Sequence, residues 1–223
     1  MIIGPDFVWL HFPKCAGSSL ELALRDLLAN RSDIHFDDID DVSSHWHNSI
    51  SQRQESNPSF DPSGKLIIAC VRRLPSWIIS RVQFEATRHD QLVASREMIV
   101  SGKFFEPGGE VNSADDYMTL YSDVSRWIRI ENLVEDVASI FDLRADVVAT
   151  SLAKHTTRVT PYIKDPKFWF TDDEIANLYA SNPLWASVED RVYGDRLGKP
   201  IPQRTSYVSN QWKKAVNLFF GES

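Results

Sequence analysis

Cysteine is scarce in this chain: 223 residues include only Cys15 and Cys70. Two thiols cannot build a disulfide framework, and a reducing, cytoplasmic setting is the expectation. Long hydrophobic runs are missing as well. No segment approaches the roughly 20 apolar residues of a membrane span, so none is expected. The opening stretch MIIGPDFVWLHFPK lacks a basic region and a small-residue cleavage site, and predicts no signal peptide. Positive charge is in deficit too. The balance of 24 Lys and Arg against 31 Asp and Glu leaves −7, which argues against a nucleic-acid binder. Screening over about 8 Å still lets a local basic pocket act against the global sign. There is no internal repeat and no low-complexity tract.

What is present is ordinary globular composition, 43% hydrophobic and 25% charged, and it excludes disorder as the main state. A chain of this length buries about 70% of its unfolded surface, enough to form one domain over 1–223 without a metal staple. Phe7–Phe12 (FVWLHF) reads as a buried strand. It breaks at Pro13, and Ser18 and Ser19 then open a helical pattern with Leu20, Leu24, Leu27 and Leu28 on one face. Ile34–Asp41 is acidic without periodicity, and Gln52–Gly64 reads as an exposed loop.

Lys65–Val71 (KLIIACV) has the continuous apolar run of a strand inside a parallel sheet. A helix from Ser76 to about Arg88 follows, with Pro75 in its first turn. Ser101–Gly109 reads as a long loop. Ser113 with Asp116 and Thr171 with Glu174 form capping boxes. Trp127–Glu131 alternates like a strand, and Leu133–Phe141 follows as a helix. Val208, Trp212, Val216 and Phe219 recur at helical spacing, predicting an amphipathic helix over about 205–220 that packs on the domain or forms a dimer stripe. Monomer and homodimer both stay open. Strands alternating with helices indicate an α/β fold, with any ligand at the carboxyl ends of the strands.

The informative segment is HFPKCAGSSLE, residues 11–21. A small-residue turn from strand to helix aims backbone N–H groups at one point, where the helix carries about half a positive charge. Lys14 adds an ammonium, and Ser18 and Ser19 add hydroxyls. A tight turn with a serine cap would read the same way. The Walker spacing G-x-x-x-x-G-K-[ST] is absent, because the lysine precedes the glycine by three residues. A P-loop small-molecule kinase is therefore the weaker enzyme reading, and a non-catalytic phosphonucleotide-binding relative is another.

HFPKCAGSSLE closely resembles the phosphosulfate-binding loop of sulfotransferases that use 3′-phosphoadenosine 5′-phosphosulfate (PAPS), nearest to their carbohydrate-type and bacterial branch. The resemblance spans about residues 6–194 and implies a three-layer, P-loop-like α/β fold with a central, mostly parallel sheet flanked by helices. It implies that Lys14 and the turn of Cys15, Ala16, Gly17, Ser18 and Ser19 hold the 5′-phosphosulfate. The Cys15 thiol itself reads as packing, and so does Cys70.

The family's second signature is an arginine at a strand end with a serine eight residues later, together gripping the 3′-phosphate. Arg72 and Ser80 have that spacing. An arginine fork at a strand end and a hydroxyl two turns into the next helix can meet one phosphate on physical grounds alone. The match departs from the pattern in two places. Arg72-Arg73-Leu74-Pro75 sets the proline one place late and leaves open which arginine faces the ligand, and Trp77 stands where an arginine is common. WIRIENLVEDVASIF and FWFTDDEIANLYASNPLWASVEDRVYG also resemble later segments of the family, and the resemblance places Arg158 near the 3′-phosphate.

Sulfuryl transfer needs the leaving phosphate's charge stabilised, which suits Lys14, and a base for the acceptor proton. Related enzymes carry that base as His-x-Ser between the two anion motifs. His47-Asn48-Ser49 fits, with His45 in reserve and Glu85 as the alternative carboxylate, while His11 reads as structural. A ring-stacked HWH loop is the plainer alternative for this stretch. No metal is expected, since His45 and His47 have no third ligand at sensible spacing. The implied reaction moves a sulfuryl group from PAPS to a carbohydrate or small-metabolite hydroxyl and leaves 3′,5′-ADP.

Overall fold

The computed structural model describes residues 1–38, 45–88, 94–105, 111–155 and 160–197. The helix expected over 205–220, Arg158 and the His45 side chain lie outside them. The fold is α/β around a five-stranded mixed sheet of order β3-β1-β2-β4-β7. Its strands are β1 (Ile2–Ile3), β2 (Phe7–Leu10), β3 (His35–Phe36), β4 (Leu66–Val71) and β7 (Arg126–Arg129). β2, β4 and β7 pair in parallel, whereas β1 pairs antiparallel with both β2 and β3. A mostly parallel sheet was the expectation, so this is a correction. Gly4 and the next two residues turn β1 straight back into β2, with the Gly4 N–H bonded to the Phe7 carbonyl at 2.9 Å. A connection that short permits only an antiparallel neighbour.

Apolar content explains the centre of the sheet. All four residues of β2 are buried, as are five of the six in β4, the pattern of strands covered on both faces. α1 (Gly17–Leu27) follows β2 and buries Leu20 and Leu24, the stripe visible in the sequence. α2 (Ile50–Ser56) occupies the start of the stretch expected to be loop, set by a Ser49–Gln52 capping box. α3 (Leu74–Arg88) starts two residues before the expected Ser76, and Pro75 sits in its first turn, where a missing N–H costs nothing.

α4 (Arg96–Ser101) precedes β5 (Lys103–Phe105), which pairs antiparallel with β6 (Val111–Ser113), so much of the expected 101–109 loop is helix end and hairpin. α5 (Ala114–Leu120) carries the predicted Ser113–Asp116 capping box. α6 (Leu133–Ile140), α7 (Ala145–Lys154), α8 (Pro166–Trp169), α9 (Asp172–Ala180) and α10 (Pro183–Tyr193) complete the chain, and α9 is opened by the predicted Thr171–Glu174 box. Among the described residues no helix is long and apolar enough to cross a membrane.

At the carboxyl edge of the sheet an aromatic cluster fills the space between β2, α3, α5 and α10. Phe12 contacts Tyr121 (4.7 Å between ring centroids), Trp185 (5.6 Å) and Trp127 (5.7 Å), and Trp77 contacts Trp185 (4.7 Å) and Phe104 (5.3 Å). Trp77 is fully buried, and its indole N–H donates to the Pro13 carbonyl at 2.9 Å. The tryptophan that stands in place of an arginine thus pins the loop after β2 from beneath. Trp77→Ala is expected to destabilise the protein by about 3–5 kcal/mol, the usual cost of deleting a buried large aromatic, read from urea denaturation.

Candidate functional site

Parallel pairing sets the site. Leu10 of β2 lies opposite Ala69 of β4, and Val71 of β4 lies opposite Arg129 of β7. The loops carrying Lys14, Arg72 and Glu131 therefore leave the sheet at the same edge. Two of them are neighbours: Arg72, through both its charge and its backbone amide, acts to lower the Cys15 pKa against burial. Burial pushes the Cys15 thiol up to about 12, so it is protonated at neutral pH, as a packing residue should be.

The loop after β2 has an unusual backbone. Lys14 (φ 61°) and Ala16 (φ 56°) are two of only three non-glycine residues with positive φ among the described residues. Such conformations cost of order 1–3 kcal/mol and persist where the surroundings over-determine them. α1 opens at Gly17, one position before the expected Ser18, and its cap is Ala16 rather than a serine. Ala16 offers no side-chain acceptor, and the first turn holds no acidic residue. The positive end of an 11-residue helix is left without the anion-like partner that most helices supply themselves. Ser18 and Ser19 sit half-buried on that turn.

Gly17 is required by contact rather than by φ. A Cβ there would lie 2.2 Å from His11 Nε2 and 2.4 Å from the ring's Cδ2. The His11 ring is itself buried, 4.1 Å from the Trp46 ring and 4.5 Å from that of His47.

The Lys14 ammonium rests 3.7 Å from the centre of the Phe84 ring on α3. Burial, then Arg72, Arg81 and Arg88, push its pKa down from 10.5 to about 8, with Glu85 pulling the other way. Three guanidinium groups therefore share the surroundings of one ammonium, in a molecule whose overall charge is negative. Among the described residues neither Lys14 nor Arg72 has a carboxylate within ion-pair distance.

Arg73 is differently placed. It pairs with Asp195 and Glu189, donates to the Asp195 carbonyl at 2.6 Å, and lies 4.0 Å from the centre of the Tyr193 ring. Glu189 also accepts the Leu74 N–H at the start of α3 (2.5 Å), and burial pushes its own pKa up to about 7. Of the two adjacent arginines, Arg73 is committed to α10 and the turn after it, and Arg72 belongs to the Lys14 cluster. Ser80 lies two turns into α3 and is buried, with 5% of its surface exposed.

The histidines fall close by. His45–His47 form a short 3₁₀ turn, and the exposed His47 ring places Nδ1 3.1 Å from the His11 carbonyl. A carbonyl can only accept, so Nδ1 carries a proton, and in the neutral ring the lone pair is on Nε2. The Tyr121 hydroxyl donates to the carbonyls of His47 (2.8 Å) and His11 (3.3 Å). Glu85 is buried and ion-paired with Arg81 at 3.1 Å. Among the described residues no group of three His, Cys, Asp or Glu is arranged to hold a metal ion.

Several contributors were missed in the sequence. Phe84 follows Ser80 by one helical turn and reads there as another apolar residue of α3. Arg81, Arg88 and Glu189 carry no motif in the sequence; only the folded arrangement distinguishes them.

No family model, curated protein or solved structure matches this chain. The chemistry of the site therefore rests on its own geometry.

Gly17→Ala is expected to displace the His11 ring, cost about 1–3 kcal/mol of stability as overpacking does, and weaken binding of phosphate-bearing nucleotides. Chemical denaturation and titration calorimetry read the two effects separately.

Proposed function

We propose that this protein is a cytoplasmic sulfotransferase that moves the sulfuryl group of PAPS to a carbohydrate or small-metabolite hydroxyl and releases 3′,5′-ADP. On this reading the helices and mixed sheet form the three-layer, P-loop-like arrangement of that family. The observation that carries the reading is the convergence of Lys14 and Arg72. The two turns leave neighbouring parallel strands at one edge of the sheet, and the charge of Arg72 helps to depress the Lys14 pKa. A donor with phosphate groups at both ends of a ribose needs two cationic sites of this kind a short distance apart, served by an uncapped helix N-terminus.

In the proposed step the acceptor oxygen attacks sulfur while His47 Nε2 takes its proton. The bond between sulfur and the bridging phosphate oxygen breaks, and its electron pair leaves with the bisphosphate. Lys14, with Ser18, Ser19 and the Gly17 turn, neutralises the growing charge on that oxygen. Arg72 and Ser80 take the 3′-phosphate, Arg72 because Arg73 is held elsewhere. His47 is the base in preference to Glu85, because Glu85 is buried and paired with Arg81 whereas the His47 ring is exposed and has its lone pair on Nε2.

Titration calorimetry with adenosine 3′,5′-bisphosphate tests the donor site. Lys14→Ala and Arg72→Ala should each weaken binding about 10- to 100-fold, the equivalent of one lost charge-assisted contact. Unchanged affinity in both variants would overturn the assignment. The sign of the pH dependence follows from Lys14. Its ammonium is charged below about 8 and neutral above, so affinity should fall as pH rises from 7 to 9. Lys14→Arg should flatten that fall, because a guanidinium keeps its charge throughout. His47→Ala should leave bisphosphate affinity unchanged and lower the transfer rate about 100-fold or more. Full transfer by that variant would remove His47 as the base.

A further inference from the structure

Neither the anion loop nor the candidate base uses Glu21, yet this carboxylate touches the supports of both. It lies on α1, one turn past Gly17, and is fully buried. Its Oε2 accepts the Trp46 indole N–H at 2.6 Å, and its Oε1 accepts from Arg25 at 2.9 Å. His11 Nδ1 stands 3.7 Å from the same Oε2. Trp46 immediately precedes His47, and the His11 ring contacts the rings of both. That ring also fills the space where Gly17 would otherwise carry a Cβ.

Burying a carboxylate is expensive unless it is paired and hydrogen-bonded. An apolar side chain at this position could serve the packing of α1 at lower cost. What the carboxylate adds is direction, since a short charge-assisted bond from an indole fixes the plane and position of Trp46. The 3₁₀ turn that presents His47 is thereby fastened to the helix whose N-terminus forms the anion site. His47 is also attached to the loop after β2 and to the residue that ends α5, through the His11 carbonyl and the Tyr121 hydroxyl.

We infer that Glu21 is a positioning residue, which holds the Trp46 turn against α1 so that His47 keeps a set place relative to the anion-binding end of that helix. The inference rests on the sulfotransferase reading only for the work His47 does. The mechanical link rests on the contacts themselves, and a displacement of about 1 Å in a reacting group is enough to cost 100-fold in rate.

Two variants test it. Trp46→Phe removes the indole N–H and keeps an aromatic ring, and Glu21→Gln keeps an acceptor for the indole while removing the charge. Three quantities are measured in the full chain: affinity for adenosine 3′,5′-bisphosphate, kcat and KM for sulfuryl transfer, and the His47 ring tautomer from its nitrogen NMR shifts. Trp46→Phe should lower kcat about 10- to 100-fold, leave bisphosphate affinity unchanged, and reduce the share of the Nδ1–H tautomer. Glu21→Gln, which keeps an acceptor for the indole, should retain most of kcat and of that tautomer.

An unaltered kcat and tautomer in Trp46→Phe would overturn the inference. So would a loss of bisphosphate affinity in step with kcat, which would make Glu21 a scaffold for the anion loop alone. If Trp46→Phe does not fold, Glu21→Leu, which deletes the acceptor and keeps the indole, decides: a lowered kcat with a His47 signal altered as in a mobile imidazole supports the link, and a kcat and tautomer unchanged from wild type overturn it. A wild-type chain that binds no bisphosphate while Trp46→Phe still changes the His47 tautomer would remove the sulfotransferase reading and leave the positioning role standing.

Discussion

The parallel pairing of β2 with β4 is the constraint on which the rest of the site depends. Strands in register from Phe7 opposite Leu66 to Leu10 opposite Ala69 must release their chains at the same edge, a few ångströms apart. Everything distinctive then follows within a few residues of that edge: the two left-handed residues Lys14 and Ala16, the charge of Arg72 beside Lys14, and the Trp77 indole beneath Pro13. A shift of one residue in this register would turn every side chain of β2 to the opposite face and part the two cations.

Local electrostatics run against the global charge. The chain carries a net −7, yet Lys14, Arg72, Arg81 and Arg88 gather around one end of α1, and the ammonium among them is less basic for it. Carboxylates near this edge are largely taken up elsewhere. Glu85 answers Arg81, Glu189 and Asp195 hold Arg73, and Glu21 answers Arg25 and Trp46. Residual positive charge beside an uncapped helix N-terminus favours a ligand with more than one negative group. Beneath these like charges lies the buried aromatic framework of Phe12, Trp77, Trp127 and Trp185.

The strands β2 and β4 were legible because burial on both faces makes them continuous apolar runs, and the helices at Ser113 and Thr171 because capping boxes are local chemistry. β1 and β3 were not, since strands of two residues carry no period to detect. α2 was hidden because it is short and runs straight into the turn formers from Asn57 to Gly64, which drew its last residues into one expected loop. At the site, Lys14, Gly17 and Arg72 announced themselves through type and spacing. Phe84, Glu189 and Glu21 did not, because an apolar residue and two glutamates on amphipathic helices look the same wherever those helices dock.

By itself the sequence determined the order of strand, small-residue turn and helix, the lysine before the glycine, and the arginine at the end of the next central strand, all of which depend on neighbours within a dozen residues. Tertiary structure alone decided that Arg72 and not Arg73 joins Lys14, because the choice rests on Glu189 and Asp195 more than a hundred residues away. It likewise decided that His47 stands against His11 with its lone pair on Nε2, since that tautomer is set by a carbonyl 36 residues distant along the chain. Local pattern specifies which groups exist, and long-range packing specifies which of them come close enough for charge and hydrogen bonding to couple them.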